Sequence, residues 1–512
     1  MRELDKHEKG RSGRLGTQPV GDYERLLRHG QFYIGPPVPG LPGDWSTYKI
    51  SDTCVLVAHP KLNVVQCKHE TSTVTLVGYL IDPDNPQHDD KEILQNLVSA
   101  GGFMESPFDS TTHLGGRWLL VLQSLRDTFA FADPAGLRQL FYAKDSTLQQ
   151  LRCASEPGLL AALCDLEVSP EAESFRLSPA FKKNEEYWWP GDSTPFAEMR
   201  RLLPNFSISL VTGHCQRFWP TGPFQEMDSG EAIHFIANRL SALMRGIARR
   251  GNVLVSITAG LDSRMVLAAS RDLTDTLGFM TVQQSGMPSL HADLQIPRRL
   301  ALHLGFEHEI MNSAPHVRET FRRAYQDSVM HFHEKWLPDA QAIYDAYQQD
   351  SLIVVGSMAE TGRLFYGGLS SDDSLVPAQL AGVADLGDHP FAVRAFERWL
   401  ETTRNPYNYS LADLFYWEQR AGRWLATSQL EFGHVWRDIF APFNSREILS
   451  SMLAVDQALR RPPQSVMFRE LLSHMWPDVL SEPINPHEAT SPASPAVRLA
   501  RKIRRKLRQY LA

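Results

Sequence analysis

The chain is poor in cysteine: five in 512 residues, Cys54, Cys67, Cys153, Cys164 and Cys215, widely spaced and without a C-x-x-C pair. That excludes a zinc ribbon and a disulfide framework and points to a reducing compartment. An excess of positive charge is missing too, since 52 Lys and Arg face 59 Asp and Glu for a net −7. No global field would draw such a chain to nucleic acid. Long hydrophobic runs are absent: no stretch reaches the roughly 18 apolar residues of a membrane span. The opening residues MRELDKHEKGRSGRLGTQPV lack the apolar segment of a signal peptide. Together these absences predict a cytoplasmic protein. Gly and Pro, at 33 each, are near ordinary usage, and 43% hydrophobic with 22% charged residues excludes collagen-like and disordered chains. At about 150 residues per domain the length predicts two to four domains.

Along the chain, a polar leader spans residues 1–36. Strand-like segments follow at Cys54–Ala58, Thr73–Ile81, Trp118–Leu122 and Thr128–Ala132, separated by turns such as Asp82-Pro-Asp-Asn-Pro86 and Asp133-Pro-Ala-Gly136. Short helices are expected at Lys91–Ala100 and Pro157–Cys164, so residues 37–222 read as an α+β domain rather than a pure sandwich. From about Ser229 apolar residues recur at helical spacing, from Ile233 to Ile247. Buried strands at Asn252–Ile257, Leu277–Val282 and Ser351–Val355 then alternate with helices at Leu261–Ser270, Asp293–Leu304 and Ala340–Gln348. Alternation of this kind predicts a doubly wound parallel sheet within residues 229–490, with everything beyond about 395 helical. The tail, 496–512, has seven cations, no acid and an apolar stripe of Leu499, Ile503, Leu507 and Tyr510. It suits an anionic membrane surface or an acidic partner, or else a solvated helix docked on the domain.

The most informative segment is Ser256-Ile-Thr-Ala-Gly-Leu-Asp-Ser-Arg264, between an expected strand and an expected helix. Free N–H groups and the positive helix end favour an anion there, and Gly260 lets the backbone approach a phosphate. Thr258 and Ser263 add hydroxyls. A carboxylate beside phosphate needs a divalent ion between them, so Asp262 reads as a Mg²⁺ ligand. The alternative for such a turn in isolation is an Asp262 that merely caps the helix. This is not a P-loop of the G-x-x-x-x-G-K-[ST] kind, because no Lys follows.

Thr258-Ala-Gly-Leu-Asp-Ser263 resembles the S-G-G-x-D-S pyrophosphate loop of the ATP pyrophosphatases, specifically that of the asparagine synthetase family, with Thr258 for Ser and Ala259 for Gly. Further matches cover most of the chain. Asp293-Leu-Gln-Ile-Pro-Arg-Arg-Leu-Ala-Leu-His-Leu-Gly305 is similar to the family's D-x-x-x-A-x-x-x-A-x-x-L-G helix that ends in a strand. Val355-Gly-Ser-Met-Ala-Glu360 stands in place of its S-G-E-G-x-D loop, and Ala441-Pro-Phe-Asn444 in place of its R-P-F-L-D turn. Gly115-Gly-Arg-Trp118, Asp133-Pro-Ala-Gly136, Leu140-Phe-Tyr142 and Ala154-Ser-Glu156 are similar to the glutaminase half. The resemblance implies an N-terminal α+β, Ntn-hydrolase-like sandwich followed by an α/β ATP-pyrophosphatase domain with a helical C-terminal part. It also implies a ligase that uses ATP and Mg²⁺ to adenylate a carboxylate, release pyrophosphate and let an amine or ammonia displace AMP. By resemblance Ile257, Thr258, Ala259, Gly260, Leu261, Asp262, Ser263, Arg264, Met280 and Gly356 bind ATP and pyrophosphate. Asp262 and Glu360 hold the metal. For Ile257 and Met280, core packing is an equal reading.

Two departures shape the expected activity. The family's glutamine users place a nucleophilic Cys directly after the initiator Met, with the free α-amine as its base; here the sequence reads Met1-Arg2-Glu3. A front half without glutaminase activity is expected, as in β-lactam synthetases and lasso-peptide cyclases. The family's C-terminal catalytic lysine is also missing, and Arg363, Arg461 or Arg469 is read as its substitute, Arg363 first. The aromatic segment Phe415–Trp424, with Glu418, Arg420 and Arg423, could hold an acidic or polyol substrate or belong to the core. His331, His333 and His474 have no metal-like spacing and read as structural. The carboxylate substrate is open between a uronic acid, a peptide or amino-acid carboxylate, and aspartate. Two alternatives remain: a catalytically silent scaffold or binding subunit, and a tRNA-modifying or sulfur-transfer ATP pyrophosphatase. The latter would want a basic surface and paired cysteines.

Overall fold

The computed structural model describes residues 21–486 apart from 70–71, 100–102, 104, 126, 146–148, 184–185, 368, 370–374 and 404–406. The first twenty residues of the polar leader and the basic tail at 496–512 lie outside the described residues. In the front half two antiparallel sheets of six strands form. One runs in the order Met199–Arg201, Phe141–Lys144, Leu151–Ala154, Phe32–Gly35, Val55–Ala58, Ser46–Lys49. The other runs Cys215–Arg217, Phe206–Ser209, Thr128–Ala132, Gly115–Gln123, Ser72–Ile81, Val64–His69.

Alternation along the strands assigns each side chain to a layer. Phe32, Ile34, Leu56 and Ala58 of the first sheet share one core with Val77, Tyr79, Leu119 and Val121 of the second. The alternate residues face outward and are covered by helices. Val74, Leu76, Trp118, Leu120 and Leu122 pack on Ile93, Leu94, Leu97 and Val98 of helix Asp90–Ser99. Tyr33, Val57, Phe141 and Ala154 pack on Leu159, Leu160 and Cys164 of helix Pro157–Cys164. Four layers result, helix, sheet, sheet and helix. That is why these antiparallel strands read as nearly continuous apolar runs: both of their faces are buried.

From the twenty-residue helix Ser229–Ala248, capped by Asp228 through the N–H groups of Gly230 and Glu231, the chain enters a five-stranded sheet. Its order is Glu309–Asn312, Gly278–Gln283, Val253–Ser256, Leu352–Val354, Asp438–Phe440, and every neighbouring pair is parallel. The first strand in sequence is therefore central, and the chain winds outward to one side before crossing to the other. The expected doubly wound sheet is present. The expectation of unbroken helix beyond 395 is not, because Asp438–Phe440 supplies the fifth strand. Three residues are too few to show a period of two. Among the described residues no helix is long and apolar enough to cross a membrane.

The two halves are joined by buried polar contacts. Asp438 receives Arg117 at 2.9 Å and also Arg138. Burial would raise its pKa, but Arg138 and Arg117 outweigh that and hold the carboxyl below its ordinary range. Asn444 donates to Gly116 O (3.0 Å) and Asp133 Oδ1 (2.8 Å) and accepts from Ala135 N at 2.9 Å. Gly116 has φ +118, and a Cβ there would lie 2.3 Å from the Tyr79 carbonyl oxygen, so only glycine fits. Glu418, fully buried, accepts from Arg217 (2.6 and 2.8 Å), Asn205 (3.0 Å) and Trp399 (2.8 Å). Glu156 caps helix Pro157–Cys164 through Leu159 N (2.8 Å) and accepts Met330 N (2.9 Å) from the rear half.

Burial pushes Glu156 up to about 7, against the pull of those N–H groups. A carboxyl raised by folding contributes stability that is fully present below its unfolded value of about 4.3 and lost as pH climbs through the folded value. Denaturant titrations of wild type and Glu156→Gln should thus shift in the variant's favour by about 2 kcal/mol between roughly pH 5 and pH 8. A pH-independent difference would show that Glu156 does not titrate in this window.

Candidate active site at the switch point of the parallel sheet

In a doubly wound sheet the cleft for a ligand opens at the carboxyl ends of the strands, where winding reverses. Here that point lies between Val253–Ser256 and Leu352–Val354, and the loops that leave these strands carry the residues singled out by sequence. Thr258 N donates to Ser263 Oγ at 3.0 Å, the Thr258 and Ser263 hydroxyls are 3.0 Å apart, and Gly260 N donates to Thr258 Oγ1 at 3.1 Å. Helix Leu261–Ala269 starts behind Gly260 with no side-chain cap, so its positive end faces the loop. No residue from 257 to 263 has a left-handed backbone, so Ala259 sits in the loop without strain.

The second loop is pressed against the first. A Cβ on Gly356 would lie 2.6 Å from the carbonyl carbon of Asp262 and 2.7 Å from Ser263 N. Only a glycine lets the two backbones touch. Beyond it Met358, at φ 76, turns the chain into the short 3₁₀ helix Ala359–Gly362, which carries Glu360. Arg363 Nη2 then reaches both acids, Asp262 Oδ2 at 2.6 Å and Glu360 Oε1 at 2.9 Å. Tyr416 donates its hydroxyl to Glu360 Oε2 at 2.5 Å. The Oδ1 atom of Asp262 is buried and has no hydrogen-bond partner. Burial pushes Asp262 up to about 7, with Arg363 opposing and the Glu360 charge adding to the rise. Two carboxylates already sharing one cation, with a buried oxygen to spare, form a donor set that fits Mg²⁺.

Not every residue named by resemblance faces this cleft. Arg264 turns away and is 1% exposed, its guanidinium donating to the carbonyls of Val479 (2.7 Å), Glu482 (3.0 Å) and Pro483 (3.2 Å). It fastens the C-terminal segment behind the loop rather than serving as a phosphate-facing cation. Ala259 is also committed, since its N–H donates to Asp293 Oδ1 at 2.9 Å and its carbonyl accepts Asn485 N at 3.0 Å. Leu261 and Ile257 lie in the hydrophobic core. Met280 lines a cavity of about 240 Å³ at the strand ends, together with Ser256, Val282, Ile353, Val355 and Ser357. Of the three arginines considered in place of the missing lysine, only Arg363 is at the cluster; Arg461 and Arg469 are exposed.

The aromatic segment divides its side chains. Residues Tyr416–Leu425 form a π-helix, whose i→i+5 repeat differs from α spacing. Glu418 and Arg423, five apart, both serve the front half, Arg423 through the carbonyls of Trp189 and Ser193 at 2.8 Å. Tyr416 and Arg420 belong to the cluster: Arg420 pairs with Glu186 at 2.8 Å and lies over the Phe365 ring, which is 4.9 Å from that of Tyr416. At α spacing Tyr416, Arg420 and Arg423 would share one face; the wider repeat turns Arg423 away from the other two. His333 pairs with Glu431 at 2.6 Å between the rings of Tyr187 and Trp336, in keeping with a structural role.

No protein-family model matches the chain, and no curated protein matches it. Solved structures that match include a glutamine phosphoribosylpyrophosphate amidotransferase from B. subtilis complexed with ADP and GMP. It is 9% identical, covers 67% of this chain and 73% of its own, and has a TM-score of 0.24. An NH3-dependent NAD synthetase from Campylobacter jejuni is 15% identical over 37% of this chain and 81% of its own, at 0.19. An allosteric regulatory enzyme of purine biosynthesis is 10% identical over 72% and 74%, at 0.24. At TM-scores this low the likeness identifies neither fold nor chemistry.

Two variants test the geometry. Gly356→Ala should weaken nucleotide binding by at least about tenfold, or roughly 1.4 kcal/mol, with near-normal melting, because it displaces the loop rather than the core. Unchanged affinity in calorimetry would remove the two-loop contact from the site. Arg363→Met, which frees both carboxylates, should tighten Mn²⁺ binding about tenfold by the same conversion. A loss of Mn²⁺ affinity would show instead that Arg363 holds the carboxylates in their binding geometry.

Proposed function

We propose that the chain is an ATP-dependent, AMP-forming amide ligase of the asparagine synthetase type. The observation that carries this is the Thr258–Ser263 loop at the switch point of the parallel sheet, closed by Gly356 and backed by two carboxylates. Thr258, Gly260, Ser263 and the first turn of the helix would receive the phosphates. Asp262 and Glu360 would hold Mg²⁺, which when bound neutralises phosphate charge. The cavity beside Met280 would take the adenosine. A substrate carboxylate attacks the α-phosphorus, the bond to the β-phosphate oxygen breaks and pyrophosphate leaves; an amine then attacks the acyl carbon and AMP departs. Arg363, permanently charged, is placed to follow the charge that develops on the phosphorus once the metal takes its carboxylates. Arg420 and Glu186, beside Tyr416, offer one charge of each sign for substrate recognition.

Glutamine is not the expected nitrogen source. All five cysteines are free, and burial pushes every thiol upward, Cys54 and Cys215 to about 11. None is the activated thiolate that hydrolysis requires. The front half then serves as a scaffold, and ammonia or a substrate amine is the nucleophile.

A second reading, a silent binding subunit, is favoured by the neutralising grip of Arg363 on both carboxylates. Incubation with ATP, Mg²⁺, ammonia and a panel of carboxylates separates the two. Carboxylate-dependent AMP and pyrophosphate are expected, falling at least about a hundredfold, or roughly 2.7 kcal/mol, in Asp262→Asn. No AMP together with no ATP binding by calorimetry would leave the silent subunit.

A further inference from the structure

A second cavity, of about 220 Å³, lies between the two halves. Its floor includes Leu352 and Asp438, the first residues of their strands, so it opens at the end of the parallel sheet opposite the nucleotide loop. Five cations line it, Lys61, Arg117 and Arg138 from the front half and Arg250 and Arg437 from the rear, against the two carboxylates of Asp90 and Asp438. In a chain of net charge −7 this local excess of cations is not compositional.

Both carboxylates are already fully engaged. Asp438 serves Arg117 and Arg138 together, while Asp90 takes Arg250 at 3.1 Å, Asn63 at 2.9 Å and Leu80 N at 2.8 Å. Among the described residues no carboxylate pairs with Lys61 or Arg437. One further donor lies in the lining: Arg138, 4% exposed, keeps Nε buried without a hydrogen-bond partner. Buried polar atoms are ordinarily satisfied, so an unpartnered guanidinium N–H beside cations without a carboxylate marks a missing acceptor. The volume admits a phosphate or a four-carbon dicarboxylate.

We propose that this cavity binds a small oxyanion, phosphate or a short dicarboxylate, which clamps the two halves together. The proposal is independent of the ligase reading, because none of its residues belongs to the nucleotide cleft. The test is calorimetric titration of the full chain with inorganic phosphate and, separately, with succinate, at constant ionic strength. Saturable binding of one of them is expected, together with a rise in melting temperature. Affinity should fall at least about tenfold in Arg437→Gln and in the exposed-site variant Lys61→Gln, and persist in Gly356→Ala. Phosphate or succinate as the tighter probe decides between the two sources. Binding lost in Gly356→Ala but kept in both cavity variants would place the anion in the nucleotide loop and overturn the proposal. Absence of binding by either probe up to about 10 mM, an affinity below roughly 3 kcal/mol, would overturn it as well.

Discussion

Asp438 heads the last strand of the parallel sheet and faces two arginines that belong to the other half. A carboxylate in that position is tolerable only with its cations in place, since breaking such a buried arrangement on one side costs roughly 3–5 kcal/mol. The front half therefore supplies an electrostatic requirement of the rear sheet. Around this contact the remaining docking groups fall into register: Tyr79 donates to the Ile439 carbonyl at 2.8 Å, and Trp417 to that of Pro134, also at 2.8 Å. The front half is thus indispensable to the sheet that carries the loop.

The motifs that drew attention in the sequence have two physical purposes. Gly115-Gly-Arg-Trp118, Asp133-Pro-Ala-Gly136 and Ala441-Pro-Phe-Asn444, distant in the chain, converge on one buried network in which Asn444 reads Gly116, Asp133 and Ala135. Their task is docking. Thr258–Ser263, Gly356 and Glu360 converge instead on the cleft, where backbone contact rather than side-chain packing fixes the spacing. Asp293 and Arg264 stand between these groups: neither faces a ligand, yet each ties the loop to the elements behind it.

Much of this was legible in the chain. The strands at Thr128–Ala132 and Val253–Ser256, and the helices Pro157–Cys164 and Ser229–Ala248, follow from periodicity and from their capping or turn residues. The place of the Thr258–Ser263 loop at a strand-to-helix junction followed from the same signals. Three things were not legible, each for a physical reason. The strand Asp438–Phe440 is too short to carry a period. Asn485, some 220 positions beyond the loop it supports, leaves no local signal at all. Arg264 sits in the loop motif, and only the packed C-terminal segment reveals that its charge is spent on three carbonyls.

The π-helix at Tyr416–Leu425 holds two commitments at once, Glu418 to the front half and Tyr416 to Glu360. Arg423, five residues past Glu418, shares its face through the wider repeat, and in an α-helix each residue turns the chain by about 100°, so removing one residue between them would return the stretch to α geometry and swing Arg423 away from the front half. The length of the segment is thereby a constraint separate from its composition. A one-codon deletion here would uncouple the docking face from the cleft more completely than most substitutions, and drift in this gene should be freer in letters than in count.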